Sequence, residues 1–503
     1  MKNKIALYLF LLLSATTVLV LSCNKKKLDL SPYTPTEDNY FASEQDFVKG
    51  VNGVYAKLSD FYAYNINNYL SPVRLLMGDD ITTDGNFSAY ESFTFTPTDG
   101  VLTNYYTYSY QLINRANTIL EKLNTEKGVY ITPHLKDYNK GEVLFLRGMT
   151  FFNLWNLFGT SPVITQRILD LDHVNSPSSA GTALLDTAIS DLKQAAALLP
   201  QSWSATDLGR ATSNSANGYL GKALVFRATV AKNQQDYADA IAAFNKIQGV
   251  SLVNKFTDNF SYAAENNSES LFEYQAGVSA TDNVWLTNDF NGPDKTFSAY
   301  WGFYNNHWSL YGAPVYIATN KLKKEFETGD PRLTLTMDTA TRYIQKYVGN
   351  GLDQVTNSGA GSYNNPRILR YADVLLLKAE AILQSGGAIA DAVALINQVR
   401  QRARNQQPGA VAPADRDIQQ TDRSMALSWL MHERFVEFAG EELIRWFDIR
   451  RWYLNGSMGV DLTSFDFSTS STQKVNFQKQ YVLLPIPSGE INSNPNVKQN
   501  SGY

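Results

Sequence analysis

Cysteine occurs once in this chain of 503 residues, at Cys23, and histidine only four times, at positions 134, 173, 307 and 432. A single thiol excludes a disulfide within the chain and any cysteine-rich zinc site. The histidines are scattered. His432-Glu433 begins like a zinc-protease motif, but Val436 stands where a second imidazole is needed one helical turn on. There is no G-x-S-x-G elbow, no Walker-type phosphate loop and no G-x-G-x-x-G turn, so a serine hydrolase, a nucleotide enzyme and a dinucleotide cofactor have no visible support. No metal or organic cofactor is expected. Basic residues number 44 against 48 acidic ones, a net charge of −4 with no basic stripe, which argues against a nucleic-acid partner.

What the chain does have is apolar and aromatic residues, at 44 % and 13 %, enough for a substantial core and too many for disorder. Its length implies one large helical superstructure or two intimately packed domains. Residues 1–22 read as a secretory leader, with Lys2 and Lys4, then an apolar run from Ile5 to Val20 that ends in Leu21-Ser22 before Cys23. Ser14, Thr16 and Thr17 interrupt that run, which falls short of the roughly 20 apolar residues of an uncleaved membrane anchor. A lone thiol at this point looks like a lipoprotein cleavage site, and Cys23 is the expected lipidation residue. Residues 23–43 form a polar tether.

Helical periodicity then dominates. Residues 44–59, 104–123, 135–158, 182–199, 216–231 and 237–247 are predicted helices, and the density of Phe151, Phe152, Leu154, Trp155, Leu157 and Phe158 implies burial on most faces of the third. The clearest signal lies in 366–404. Ala372, Leu375, Leu376, Ala379, Ile382 and Leu383 make one buried stripe with Pro366 near the helix start, and Gly386-Gly387 stops it. Ile389, Ala392, Leu395, Ile396, Val399 and Ala403 make a second stripe. Such a hairpin, repeated at 216–247, is how tetratricopeptide-like helix pairs are built.

Between 251 and 347 the period fades. Trp285, Tyr300, Trp301, Phe303, Tyr304, Trp308, Tyr311 and Tyr316 crowd among asparagines, a composition that suits stacking on sugar faces if rings are exposed, or a satellite core if they are not. The acids of the Gly78–Phe87 stretch read as a solvated turn rather than a cation loop. In 425–452, Glu441 is spaced to pair with Arg445 and Asp448 with Arg451, and carboxylates mixed with arginines in this way form ion-pair networks more often than glycosidase pairs.

These segments, taken in order, resemble the SusD/RagB family of outer-membrane nutrient-binding lipoproteins. The resemblance rests on Cys23, FLRGMTFFNLWNLFG (145–159), GRATSNSANGYLGKALVFRA (209–228), RYADVLLLKAEAI (370–382), INQVRQRA (396–403), ERFVEFAGEELIRWFDIRRW (433–452) and LLPIPSGEINSNPNVKQNSGY (483–503). One departure falls at Glu442-Leu443-Ile444 before Arg445, where the family commonly has glycine. The resemblance implies a mainly α fold with tetratricopeptide-like helix-pair repeats, irregular loop-rich segments and minor β structure, arranged as a helical region over 44–250, an aromatic ligand face over 251–347 and a helical region with tail over 348–503. It also implies a non-catalytic surface lipoprotein that is lipid-anchored in the outer membrane, binds an oligosaccharide and partners a TonB-dependent SusC-like transporter. A peptide ligand, or less favourably a carboxylate-based glycoside hydrolase, are the alternatives. On composition and exposure, the expected ligand residues are Trp285, Trp301, Tyr304 and Trp308, with Tyr64 and Asp80.

Overall fold

The computed structural model describes residues 40–63, 70–83, 88–126, 128–170, 174–277, 299–301, 304, 316–348, 361–362, 364–468 and 475–503. Its frame is helical. The long helices are α1 (Glu44–Ala56), α2 (Gly100–Thr125), α3 (Leu135–Phe158), α4 (Ala183–Leu198), α5 (Ser213–Ala231), α6 (Gln234–Phe244), α7 (Tyr371–Gln384), α8 (Ile389–Asn405), α9 (Arg423–Glu437) and α10 (Ile444–Asn455). Side chains set their starts. Asp99 accepts the N–H groups of Val101 and Leu102 at the start of α2, Thr212 and Ser215 cap α5 reciprocally, and Asp422 accepts from Ser424 and Met425 ahead of α9.

Successive helices from α2 to α8 pack on one another, with α6 against α7 across the long irregular insertion, and α9 closes on both α7 and α8. The α5–α6 pair approaches closely because Gly221 carries no side chain: a Cβ there would lie 2.3 Å from the Phe244 ring. The expected stripes of 366–404 form a core of their own with Ala426, Leu430, Phe438 and Ile444. Helix α3 is buried on nearly every face, as its aromatic density implied.

Among the described residues six short strands pair antiparallel two by two: β1 (Ile81–Thr83) with β4 (Tyr316–Ala318), β2 (Ser270–Glu273) with β6 (Arg367–Arg370), and β3 (Ala299–Tyr300) with β5 (Gly361–Ser362). One expectation changes here. Pro366 does not open a helix; it leads into β6, and α7 begins only at Tyr371 because Arg367, Leu369 and Arg370 pair with β2 first. The tail folds back on the frame: Leu484 N–H donates to Leu157 O, and Asn500 Nδ2 donates to Phe158 O and Leu484 O.

Candidate functional site

The short ladders fix where the aromatic-rich part of the chain joins the frame. Ala63 bridges to Ala299, which pairs in turn with Ser362, so the described ends bordering residues 64–69, 278–298 and 349–360 stand side by side. Trp301 lies two residues beyond Ala299. Its indole N–H donates to Asn364 O at 2.9 Å, and its ring stacks on Tyr347 with centroids 3.9 Å apart and planes 10° from parallel. Tyr304 lies parallel to Trp301 at 6.4 Å, and its hydroxyl donates to Gly440 O at 3.0 Å. A second meeting point joins Thr83 to Tyr316 in the β1–β4 ladder, where the Ser71 and Tyr316 hydroxyls are 3.2 Å apart.

Both anchor points rest on residues 438–443, the connection between α9 and α10. Gly440 takes φ +70°, a conformation that suits glycine, and its N–H donates to Asp80 Oδ2 at 2.9 Å. Burial pushes the Asp80 carboxyl up to about 6, with the neighbouring Asp79 charge adding to the rise against the Gly440 bond. Asp79 has the opposite balance. Burial alone would raise it, but Arg445 and Lys321 hold it below the usual range.

Deeper, Arg370 of β6 grips both oxygens of Glu441 at 2.8 and 2.7 Å and reaches Glu269 at 2.9 Å and Glu437 at 2.6 Å. Lys346 Nζ donates to Glu437 O, Ala439 O and Glu441 Oε1 at 2.7 to 3.0 Å. Burial, helped by Arg370, lowers this ammonium to about 8. Arg332 and Arg402 also pair with Glu437, and Glu433 is held between Arg332 and Arg400. Desolvation would raise Glu437, yet Arg402, Arg370, Arg332 and Lys346 outweigh it and hold the carboxylate well below its ordinary value. Carboxylates gripped by cations in this way are braces.

The sequence-based site residues therefore fall into two groups. Tyr64, Trp285, Trp308 and Cys23 lie outside the described residues. Trp301, Tyr304 and Asp80 are described, and they differ from the expectation of exposure, being 1 %, 1 % and 2 % exposed. The cause is partnership: a ring with Tyr347 against its face and its N–H on a carbonyl packs as core, and Asp80 is drawn under Gly440. The solvated turn expected at Gly78–Phe87 is likewise corrected over residues 78–83, because Asp79 and Asp80 lie buried just ahead of β1; residues 84–87 lie outside the described residues. Glu441 does not pair with Arg445. Helix α9 ends at Glu437 and α10 begins at Ile444, with Gly440 at φ +70° and Leu443 at φ +63° in the connection, so Arg445 turns to Asp79 while Glu441 faces Arg370 and Lys346. Asp448 and Arg451 pair as expected, at 2.9 Å. Tyr347, Asn364, Lys346 and Gly440 were missed. Only tertiary contact marks them.

A family model described as the SusD family matches residues 227–503, more than half of the sequence. The chain belongs to the SusD family. A second model, described as starch-binding associating with outer membrane, matches residues 27–224 of this SusD-family chain. A SusD-like protein of Bacteroides ovatus is 23 % identical over 98 % of this chain and 97 % of its own length. Among solved structures, a SusD homolog from Bacteroides thetaiotaomicron matches with a TM-score of 0.76 at 20 % identity, covering 93 % of this chain and 99 % of that one. A laminarin binding SusD-like protein matches with 0.71 at 22 % identity over 92 % and 100 %. These likenesses establish the mainly helical SusD fold.

Proposed function

We propose that this SusD-family chain is a glycan-binding lipoprotein that captures oligosaccharides at the cell surface and delivers them to a TonB-dependent SusC-like transporter. The observation that carries this reading is the match of residues 227–503 to the SusD family model together with that of residues 27–224 to the model described as starch-binding associating with outer membrane. The likeness in fold to a laminarin-binding protein supports a sugar as ligand. In this reading Cys23 bears the lipid, Trp285, Trp308 and Tyr64 stack on sugar faces, and the buried Trp301, Tyr304 and Asp80 brace the frame through Tyr347, Asn364 and Gly440. Binding rather than hydrolysis is supported by the buried acids of 433–441, each occupied by arginine or lysine.

A glycan array followed by calorimetry tests it. Binding to one glycan class is expected, and Trp308→Ala or Trp285→Ala should weaken it by about 1 kcal/mol, roughly fivefold in Kd. Binding to peptides and to no glycan would overturn the sugar reading, and sugar release by the purified chain would overturn the non-catalytic one. Copurification with a large β-barrel protein tests delivery.

A further inference from the structure

A small internal cavity lies between α3, α5, β6 and the α9–α10 connection. About 20 Å3 of it is open to the centre of a water molecule. On this measure roughly 10–15 Å3 is enough for one water, so the space admits one or two and nothing as large as a sugar ring. Phe152, Leu443 and Phe447 give it apolar walls, while Tyr62, Asn153, Tyr219, Lys222, Arg367 and Glu442 bring polar groups to it.

The two phenols are fixed in aim. Tyr62 stacks on Tyr274 with centroids 5.6 Å apart and carries the Arg74 guanidinium 5.0 Å from its own centroid. Phe145 and Phe152 meet Tyr219 edge to face at 5.6 and 6.0 Å. Neither hydroxyl has a hydrogen-bond partner among the described residues, although the two tyrosines are only 7 % and 3 % exposed. Glu442 repeats the pattern on the acceptor side. Its Oε2 accepts from Arg74 at 2.7 Å, and its Oε1 accepts from none of the described residues. Burial pushes this carboxyl up, and Arg74 offsets only part of the rise. These three oxygens are not sealed off as the Tyr106 hydroxyl is, so a molecule in the cavity can reach them. Lys222 donates to Asp373 at 2.9 Å, and its ammonium has further N–H groups to give.

The mixture of donors and acceptors selects the occupant. A cation would face Lys222 and Arg367, and a halide would face the Glu442 carboxylate. A neutral molecule that both gives and accepts hydrogen bonds meets neither objection. We propose that this cavity is a binding site for one or two ordered water molecules, which donate to Glu442 Oε1 and bond the hydroxyls of Tyr62 and Tyr219. Buried polar groups are paired with protein or with water, and here the protein supplies no pair. The water then acts as a structural member. It joins Tyr62, next to the Ala63 bridge to Ala299, with Glu442 of the 438–443 connection and with Tyr219 of α5.

Crystals of the full chain, one of them soaked in bromide, test the site directly at high resolution. One or two peaks are expected within hydrogen-bond distance of Tyr62 Oη, Tyr219 Oη and Glu442 Oε1, with no anomalous signal from bromide. Tyr219→Phe and Tyr62→Phe separate a wet cavity from a dry one in solution. If water bonds the hydroxyl, its removal breaks a satisfied bond and Tm should fall by about 1 °C in each variant. In a dry cavity the same hydroxyl is an unmet polar group, and its removal raises Tm. An empty cavity, a bromide peak inside it, or a Tm that holds or rises in both variants overturns the proposal.

Discussion

Replacing Arg370 with methionine keeps the bulk of the side chain in β6 and removes its charge. Five hydrogen bonds go with it, to Glu269, Glu437, Glu441 and the Glu437 carbonyl. The acids are not left bare: Glu269 and Glu437 keep Arg402, Glu437 keeps Arg332, and Glu441 keeps Lys346. What remains is a buried cluster short of one positive charge, and removing one partner from such a cluster costs about 3–5 kcal/mol. With an unfolding entropy of about 2 cal/mol/K per residue, a chain of this length loses roughly 1 °C in Tm per kcal/mol, so a fall of about 3–5 °C at pH 7.5 is expected by calorimetry. The pH dependence supplies a sharper check. Glu437 and Glu441 have folded-state pKa values held below those of the unfolded chain, so their stabilisation is present above the ordinary glutamate pKa and is lost as pH falls through the folded values. Without Arg370 those folded values rise, and the gap between variant and parent should narrow on going from pH 7.5 to pH 4.5. An unchanged Tm at pH 7.5, or a gap that widens in acid, refutes the view that Arg370 holds these carboxylates ionised.

Asp80 should behave oppositely. Its folded pKa of about 6 lies above the unfolded value, so its favourable contribution is complete in acid and lost as pH rises through 6. Asp80→Asn should therefore be more stable than the parent at pH 7.5, by no more than about 3 kcal/mol, and its melts should depend less on pH between 4 and 6; an unaltered slope counts against the buried, desolvated carboxyl. Trp301→Ala empties a fully buried site and should cost about 3–5 kcal/mol in thermal stability, whereas Trp308→Ala should lower glycan affinity and leave Tm in place. Loss of affinity without loss of stability in Trp301→Ala would return that ring to the sugar-contacting group.

The helical frame was legible because its signals are local. Leu375, Leu376, Ala379 and Leu383 sit at intervals that only a helix brings to one face, and the glycines after them mark the stop. Exposure of a single ring is not local. Trp301 and Trp308 share the same polar, aromatic neighbourhood in the sequence, and what buries Trp301 is Tyr347, far along the chain. The same holds for the acids of 433–441. Their mixture with arginines announced an ion-pair network, but the assignment of Glu441 to Arg445 assumed an unbroken helix, and the helix stops at Glu437, with a new one starting only at Ile444. Asp79 and Asp80 looked like a hydrated turn because nothing nearby in the sequence shows that Arg445, Lys321 and Gly440 will cover them.

The ladders that border the aromatic segments are only two to four residues long. Their brevity makes the attachment modular. The described chain ends at residue 277 and resumes at Ala299, which is joined to the frame by a bridge to Ala63 and a two-residue ladder to Ser362 and Gly361. Closure entropy rises slowly with length, about 0.6 kcal/mol for each doubling, which is small beside the stability of a core this large. A likeness in fold with a TM-score of 0.76 at 20 % identity is the outcome such an arrangement permits.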